Sequence, residues 1–216
     1  MSEQKSFDIV LTGVGGQGIV MLSNALGNAC ANADIRVLTG ELHGLSQRSG
    51  TVYIHLRMGG ESISPLIPYG EADAILAMEP MESLRYIEFL KDEGIIILNK
   101  RVINPPLEIA ELSKEKRTDF VTFENIVEKL KVVTPNIAPI DALALAMEAG
   151  NPRTENAVFI GAMSALANLP PSVEDMKIGL ETVVPKKALE QNIKAFELGY
   201  KTAYDGLCDL VQCREL

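Results

Sequence analysis

Cysteine is scarce: Cys30, Cys208 and Cys213 are odd in number and form no CxxC pair. They offer neither a disulfide framework nor a thiolate metal site. An iron–sulfur cluster, which takes about four thiolates, is out of reach of this chain. Cys30 falls on an apolar helical stripe and reads as core, while Cys208 and Cys213 read as exposed thiols near a terminus. Histidine is limited to His43 and His55, too few for a histidine-rich metal site. Tryptophan is absent and aromatics make up 5% of the chain, which leaves little for base stacking. No apolar run approaches the roughly 20 residues of a membrane helix, and the opening MSEQKSFD has no apolar signal core, so the expected compartment is the cytoplasm. Positive charge is in deficit, 20 Lys and Arg against 29 Asp and Glu for a net charge of −9. That sign is wrong for counterion-driven binding to nucleic acid or an anionic membrane.

What is present is the composition of an ordinary globular protein, 47% apolar and 23% charged over 216 residues, enough for one core. Residues 7–11 (FDIVL) read as a strand that breaks at a glycine loop, after which Ile19, Leu22, Leu26, Ala29 and Cys30 recur at helical spacing. Residues 35–38 form a second apolar run. Val52, Ile54, Leu56 and Met58 then alternate with Tyr53, His55 and Arg57, the pattern of a strand with one covered face. His55 reads as a hydrogen-bonded sheet residue. Gly59-Gly60 suggests a tight turn, with residues 62–67 pairing back as a hairpin held to an edge by Pro65 and Pro68. Further strands are expected at 72–78, 95–98 and 120–123, with helices after Glu79-Pro80 and over 125–131. From about Pro139 the pattern turns helical, over 140–149, 156–169, 173–184 and 186–207. The expected fold is a single α/β domain of three layers, α/β/α, with a mixed sheet. It has a Rossmann-like start, a β-hairpin in place of one crossover, a sheet portion over 1–135 and a mainly helical portion over 136–216.

Two loops carry candidate chemistry. Gly13-Val14-Gly15-Gly16-Gln17-Gly18 matches GxGxxG between a strand and a helix, where backbone N–H groups and the helix dipole attract an anion. Glu41, 23 residues beyond Gly18, stands where a ribose-binding acid of an NAD site belongs. Against an NAD site, residues 43–50 lead directly into the alternating strand and leave room for a loop, not a crossover helix. The glycines can also serve a tight turn with no ligand. The second loop gathers Glu41, His43, Gln47, Arg48 and Ser49 between two strands, and Arg48 can offer a bidentate fork to a carboxylate or phosphate. Thr154 and Asn156 read first as helix-capping residues.

Four ordered segments, FDIVLTGVGGQGIVMLSNALGNA, ELHGLSQRSGTVYIHLRMG, ENAVFIGAMSAL and VPKKALEQNIKAFELGY, together resemble the gamma-type subunit or domain of 2-oxoacid:ferredoxin oxidoreductases. Within that family the Glu41-Leu42-His43-Gly44 and Gln47-Arg48 loop is similar to the small subunit of the indolepyruvate-type enzyme. Ser49 stands where the family often has a glycine. The resemblance implies a complex that decarboxylates a 2-oxo acid on thiamine diphosphate, passes electrons through iron–sulfur clusters to ferredoxin, and transfers the acyl group to coenzyme A. It implies that thiamine diphosphate, magnesium and the clusters sit on a larger partner subunit in a hetero-oligomer. This chain would be the subunit without redox chemistry, binding no cofactor firmly by itself. The glycine loop and the Glu41 to Ser49 loop would face the thiamine and coenzyme A region. The rival readings are an NAD-dependent oxidoreductase using the glycine loop and a pure scaffold subunit.

Overall fold

The computed structural model describes residues 6–43, 50–103 and 121–214. Six strands form one sheet: β1 (Phe7–Val14), β2 (Val37–His43), β3 (Thr51–Met58), β4 (Ala72–Ala77), β5 (Leu90–Asn99) and β6 (Ile137–Ile140). Their spatial order is β2-β3-β1-β4-β5-β6. β1, β4, β5 and β6 run parallel, while β3 lies antiparallel to both β1 and β2. β1 is central and buried over all but its last residue, which is why an apolar run and not an alternating one encodes it. Its one acid, Asp8, is directly opposite Arg57 on β3, and the Arg57 guanidinium meets the carboxylate at 2.7 Å. A buried carboxylate needs such a partner.

The expected hairpin exists but uses other residues. β2 and β3 pair from Val37↔Met58 to His43↔Val52, in place of a crossover helix. Residues 62–67 form no strand. Gly59 and Gly60, at φ +75° and +65°, turn the chain off the sheet plane, and Pro65 and Pro68 have no N–H to give a ladder. This segment lies across the hairpin instead: the Ile67 N–H donates to His55 Nδ1 at 2.9 Å, and Arg57 donates to the Ser64 and Leu66 carbonyls. His55 is therefore buried and hydrogen-bonded, so the face of β3 that carries it is covered as well as the apolar one.

Two further boundaries differ from expectation. Val121 and Thr122 are not a strand; Thr122 is the cap of a helix, in a reciprocal capping box with Asn125, and residue 120 lies outside the described residues. Pro139 and Ile140, expected to open the helical region, instead end β6, where an edge position tolerates Pro139.

Helices cover both sheet faces. On one face lie α1 (Ile19–Asn32) and the later helices α4 (Ala142–Glu148), α5 (Glu155–Ser164), α6 (Val173–Val183) and α7 (Leu189–Leu207). On the other lie α2 (Pro80–Arg85), a 3₁₀ turn at Ile87–Phe89, and α3 (Phe123–Leu130). This is the three-layer α/β/α arrangement with a mixed sheet. α5 is the inner helix, buried from Asn156 through Ser164, so apolar residues occur all around it. It meets α7 through glycines: a Cβ on Gly161 would stand 1.9 Å from the Phe196 carbonyl oxygen, and one on Gly199 2.0 Å from that of Val158.

The cysteines are not all free. Cys208 and Cys213 are joined in a disulfide, because a turn after α7 brings their Cα atoms to 5.4 Å. Cys30 alone remains a thiol, pushed up to about 12 by burial and then by the Asp175 charge.

Candidate functional site

The glycine loop joins β1 to α1 at the sheet edge where the parallel strands end. From β1 the chain crosses to α1 on one face, whereas the neighbouring parallel strand β4 leads to α2 on the other. Connections that part to opposite faces leave a crevice between the strand ends, the usual ligand position of an α/β sheet. Gln17 builds the loop. Its side-chain carbonyl accepts from the Val14 N–H at 2.8 Å, and its amide donates to the Met78 carbonyl at 2.9 Å. Asn99 donates to that same carbonyl, tying the ends of β1, β4 and β5 together. Gly13 is glycine for packing, since a Cβ there would stand 2.5 Å from the Gln17 side-chain oxygen. Gly18 caps α1 in the left-handed region at φ +78°, with no side-chain cap, so the first N–H groups of α1 are left facing the crevice. Gly15 donates its N–H to the Gly50 carbonyl, which fixes the glycine loop to the start of β3.

The crevice is a cleft of about 300 Å³ between Gly16, Gln17, Gly18 and Met78 on one wall and Arg101, Pro152, Arg153, Glu155 and Asn156 on the other. The second wall was not anticipated as a site. Thr154 and Asn156 do not cap α5 through their side chains: the Thr154 hydroxyl donates to the Asn151 carbonyl, and the Asn156 amide donates across the cleft wall to the Gly18 carbonyl at 3.3 Å. Arg101, just beyond β5, pairs with Glu155 at 3.2 Å. Burial raises the Glu155 carboxyl above its ordinary range, and the Arg101 charge opposes that rise. With Arg101 already paired to Glu155, what the cleft can offer an anion is Arg153 and the open N-terminus of α1. In the sequence, Arg153, Thr154, Glu155 and Asn156 stand out only as a helix start with capping candidates; nothing marks Arg101, which the ladder between β5 and β6 brings to the cleft.

The second candidate loop reaches the same end of the sheet. His43 pairs with Val52 on one side while Gly13 pairs with Val52 on the other, so the two loops leave the sheet one strand apart. Glu41 is exposed and sits on β2, which β3 separates from β1. That is two strand spacings, roughly 10 Å, from the glycine strand. A ribose-binding acid belongs on the strand adjacent to β1, so the NAD fingerprint expected of Gly13 to Gly18 with Glu41 is not assembled. Gln47, Arg48 and Ser49 lie outside the described residues. Among the described residues no group of three or more His, Cys, Asp or Glu could hold a metal ion, and no helix is long and apolar enough to cross a membrane.

Fold and cleft together define a Rossmann-like α/β domain whose anion-suited crevice lies at the switch point of a mixed sheet. Residues 8–202 match the pyruvate ferredoxin/flavodoxin oxidoreductase family, and the chain belongs to it. It is a subunit of a 2-oxoacid:ferredoxin oxidoreductase. It is similar to the indolepyruvate oxidoreductase subunit IorB of Thermococcus kodakarensis, 41% identical over 207 residues that cover 94% of this chain and 98% of that protein. The IorB subunit of Pyrococcus horikoshii is 40% identical over the same shares. In fold it resembles the keto/oxoacid ferredoxin oxidoreductase gamma subunit from Geobacter sulfurreducens PCA, with a TM-score of 0.68 and 19% identity, covering 94% of this chain and 99% of that one.

Proposed function

We propose that this chain is the non-redox subunit of an indolepyruvate:ferredoxin oxidoreductase. The reaction converts a 2-oxo acid, coenzyme A and oxidised ferredoxin to acyl-CoA, CO2 and reduced ferredoxin. The observation that carries the reading is the similarity to IorB subunits along nearly the whole of both chains. Thiamine diphosphate, magnesium and the iron–sulfur clusters belong on a larger partner subunit in the cytoplasm, where they supply decarboxylation and electron transfer. This chain's part is to complete the active site. The switch-point cleft and the loop holding Glu41, His43, Gln47, Arg48 and Ser49 face the partner's thiamine and coenzyme A region. The guanidinium group of Arg153 and the open end of α1 supply positive potential for an anionic group of coenzyme A. Gln17 holds the loop that presents those N–H groups.

The test is co-expression with the candidate large subunit, anaerobic purification through a tag on this chain, and assay of indolepyruvate- and coenzyme A-dependent viologen reduction. A brown complex, active where the lone chain is not, is the expected result. A colourless lone chain that takes up no partner and instead enhances NADH fluorescence overturns the reading. In the active complex, Arg48→Ala alters the rate or the KM for coenzyme A. Unchanged values for both remove that loop from the site. If loop variants lower only the yield of complex and not its turnover, the chain is a scaffold.

A further inference from the structure

The end of the chain is built as a clasp. α7 stops at Leu207, and the chain turns back so that Cys213 reaches Cys208. From there residues 212–214 run as a short strap against the segment that follows α5. The Ala167 N–H donates to the Gln212 carbonyl at 3.2 Å, the Arg214 N–H donates to the Ala165 carbonyl at 2.8 Å, and Cys213 is paired with Leu166 between them. The Arg214 guanidinium donates to the Pro171 carbonyl at 2.6 Å and to the Leu169 carbonyl, while the Arg214 carbonyl accepts from the Tyr200 hydroxyl on α7. The strap therefore supplies partners for the carbonyls that α5 and the following turn leave over. The disulfide fastens the strap to α7, and both of its cysteines are only half-buried, unlike Cys30.

We propose that Cys208 and Cys213 are a thiol–disulfide exchange site, a redox-sensitive clasp joining the ends of α5 and α7, whose co-reactant is a dithiol. The thiolate of the reductant attacks one sulfur, breaking the Cys208–Cys213 bond, forming a mixed disulfide and releasing the other cysteine as a thiolate that takes a proton. The second thiol of the reductant then closes its own disulfide and frees the first cysteine. Two electrons and two protons pass to the protein and the dithiol is oxidised. With the bond open, the strap keeps its hydrogen bonds and the packing of Val211 and Cys213 on the core but loses its covalent tie to α7, which lowers the cost of local opening. The element it anchors matters, because the other end of α5 carries Glu155 and Asn156 into the cleft.

The experiment uses the full chain purified without reductant, denatured, alkylated with iodoacetamide and weighed intact. The expected mass shows alkylation of Cys30 alone, and of all three cysteines after dithiothreitol. In parallel, hydrogen exchange is followed on native oxidised and reduced protein and on Cys208→Ser. Amides of residues 165–171 and 208–214 are expected to exchange about tenfold faster once the bond is open, with the strands unchanged. Alkylation of all three cysteines without reductant overturns the proposal. So does identical exchange in the oxidised and reduced states, a comparison on wild-type protein that stands even if the variant fails to fold.

Discussion

At the scale of residues, the glycines of the loop are not equivalent. Gly16 and Gly18 both have positive φ, +97° and +78°, but a Cβ on Gly16 would meet nothing within 4 Å, whereas one on Gly18 would stand 2.4 Å from the Asn156 amide nitrogen. Gly16→Ala is therefore expected to cost about 1 kcal/mol of backbone strain, and Gly18→Ala somewhat more because the Asn156 amide must also shift, read as the difference in urea midpoints. Equal losses would mean that Asn156 does not close on Gly18. His55 gives a prediction in pH. Burial, with the Arg57 charge adding, holds its imidazole below the ordinary 6.5, so the native site favours the neutral ring. Its contribution to stability is full above pH 6.5 and is lost progressively as the pH falls below that value toward the lower native one, because the unfolded chain takes up the proton first. Protonation at Nδ1 also removes the acceptor of the Ile67 N–H. Between pH 7 and about 5.5, wild-type stability should fall more steeply than that of His55→Asn, which keeps an acceptor and cannot titrate. Parallel profiles would refute that role.

At the scale of elements, the α5–α7 crossing depends on glycine more than on any apolar side chain. With backbone oxygens of the facing helix 1.9 and 2.0 Å from the missing Cβ atoms, Gly161→Ala or Gly199→Ala forces the helices apart. The expected loss is about 3 kcal/mol or more, seen in chemical unfolding. Gly27 on α1 has nothing within 4 Å of its Cβ position, and Gly27→Ala should instead gain about 0.5 kcal/mol from helix propensity. Such contrasts are invisible in the sequence, where all three glycines interrupt apolar helical patterns alike. Element type was more legible. The apolar run of β1, the glycine loop and the stripe of α1 declared themselves because each is dictated by local periodicity. The partner of β3 did not: residues 59–67 carried a local turn signal, but pairing with β2 satisfied a longer ladder than two prolines allowed. The cleft was half legible for the same reason. Its glycine wall is a contiguous motif, while Arg101, Arg153, Glu155 and Asn156 reach it only through tertiary packing.

At the scale of the molecule, residues 1–216 are proposed to fold as one unit in spite of the change from sheet to helix near residue 135. β6 lies beyond that point yet completes the sheet edge, and α4 to α7 cover the face formed by Ile9, Leu11, Leu76 and Ile97. The full chain should melt in a single transition seen alike by far-ultraviolet circular dichroism and calorimetry, and a 1–135 fragment should show no cooperative transition. A folded fragment would divide the chain in two. The sequence by itself determined the class of fold, the position of the glycine loop between β1 and α1, and membership of the oxidoreductase family. Those rest on short-range patterns: apolar period, turn residues and ordered motifs. Only the tertiary structure decided which strands pair, that Glu41 stands two strands from the loop, that a second wall faces the glycines, and that Cys208 meets Cys213. Each of these depends on distances between chain segments, and those are set by how the sheet and its two helical layers pack.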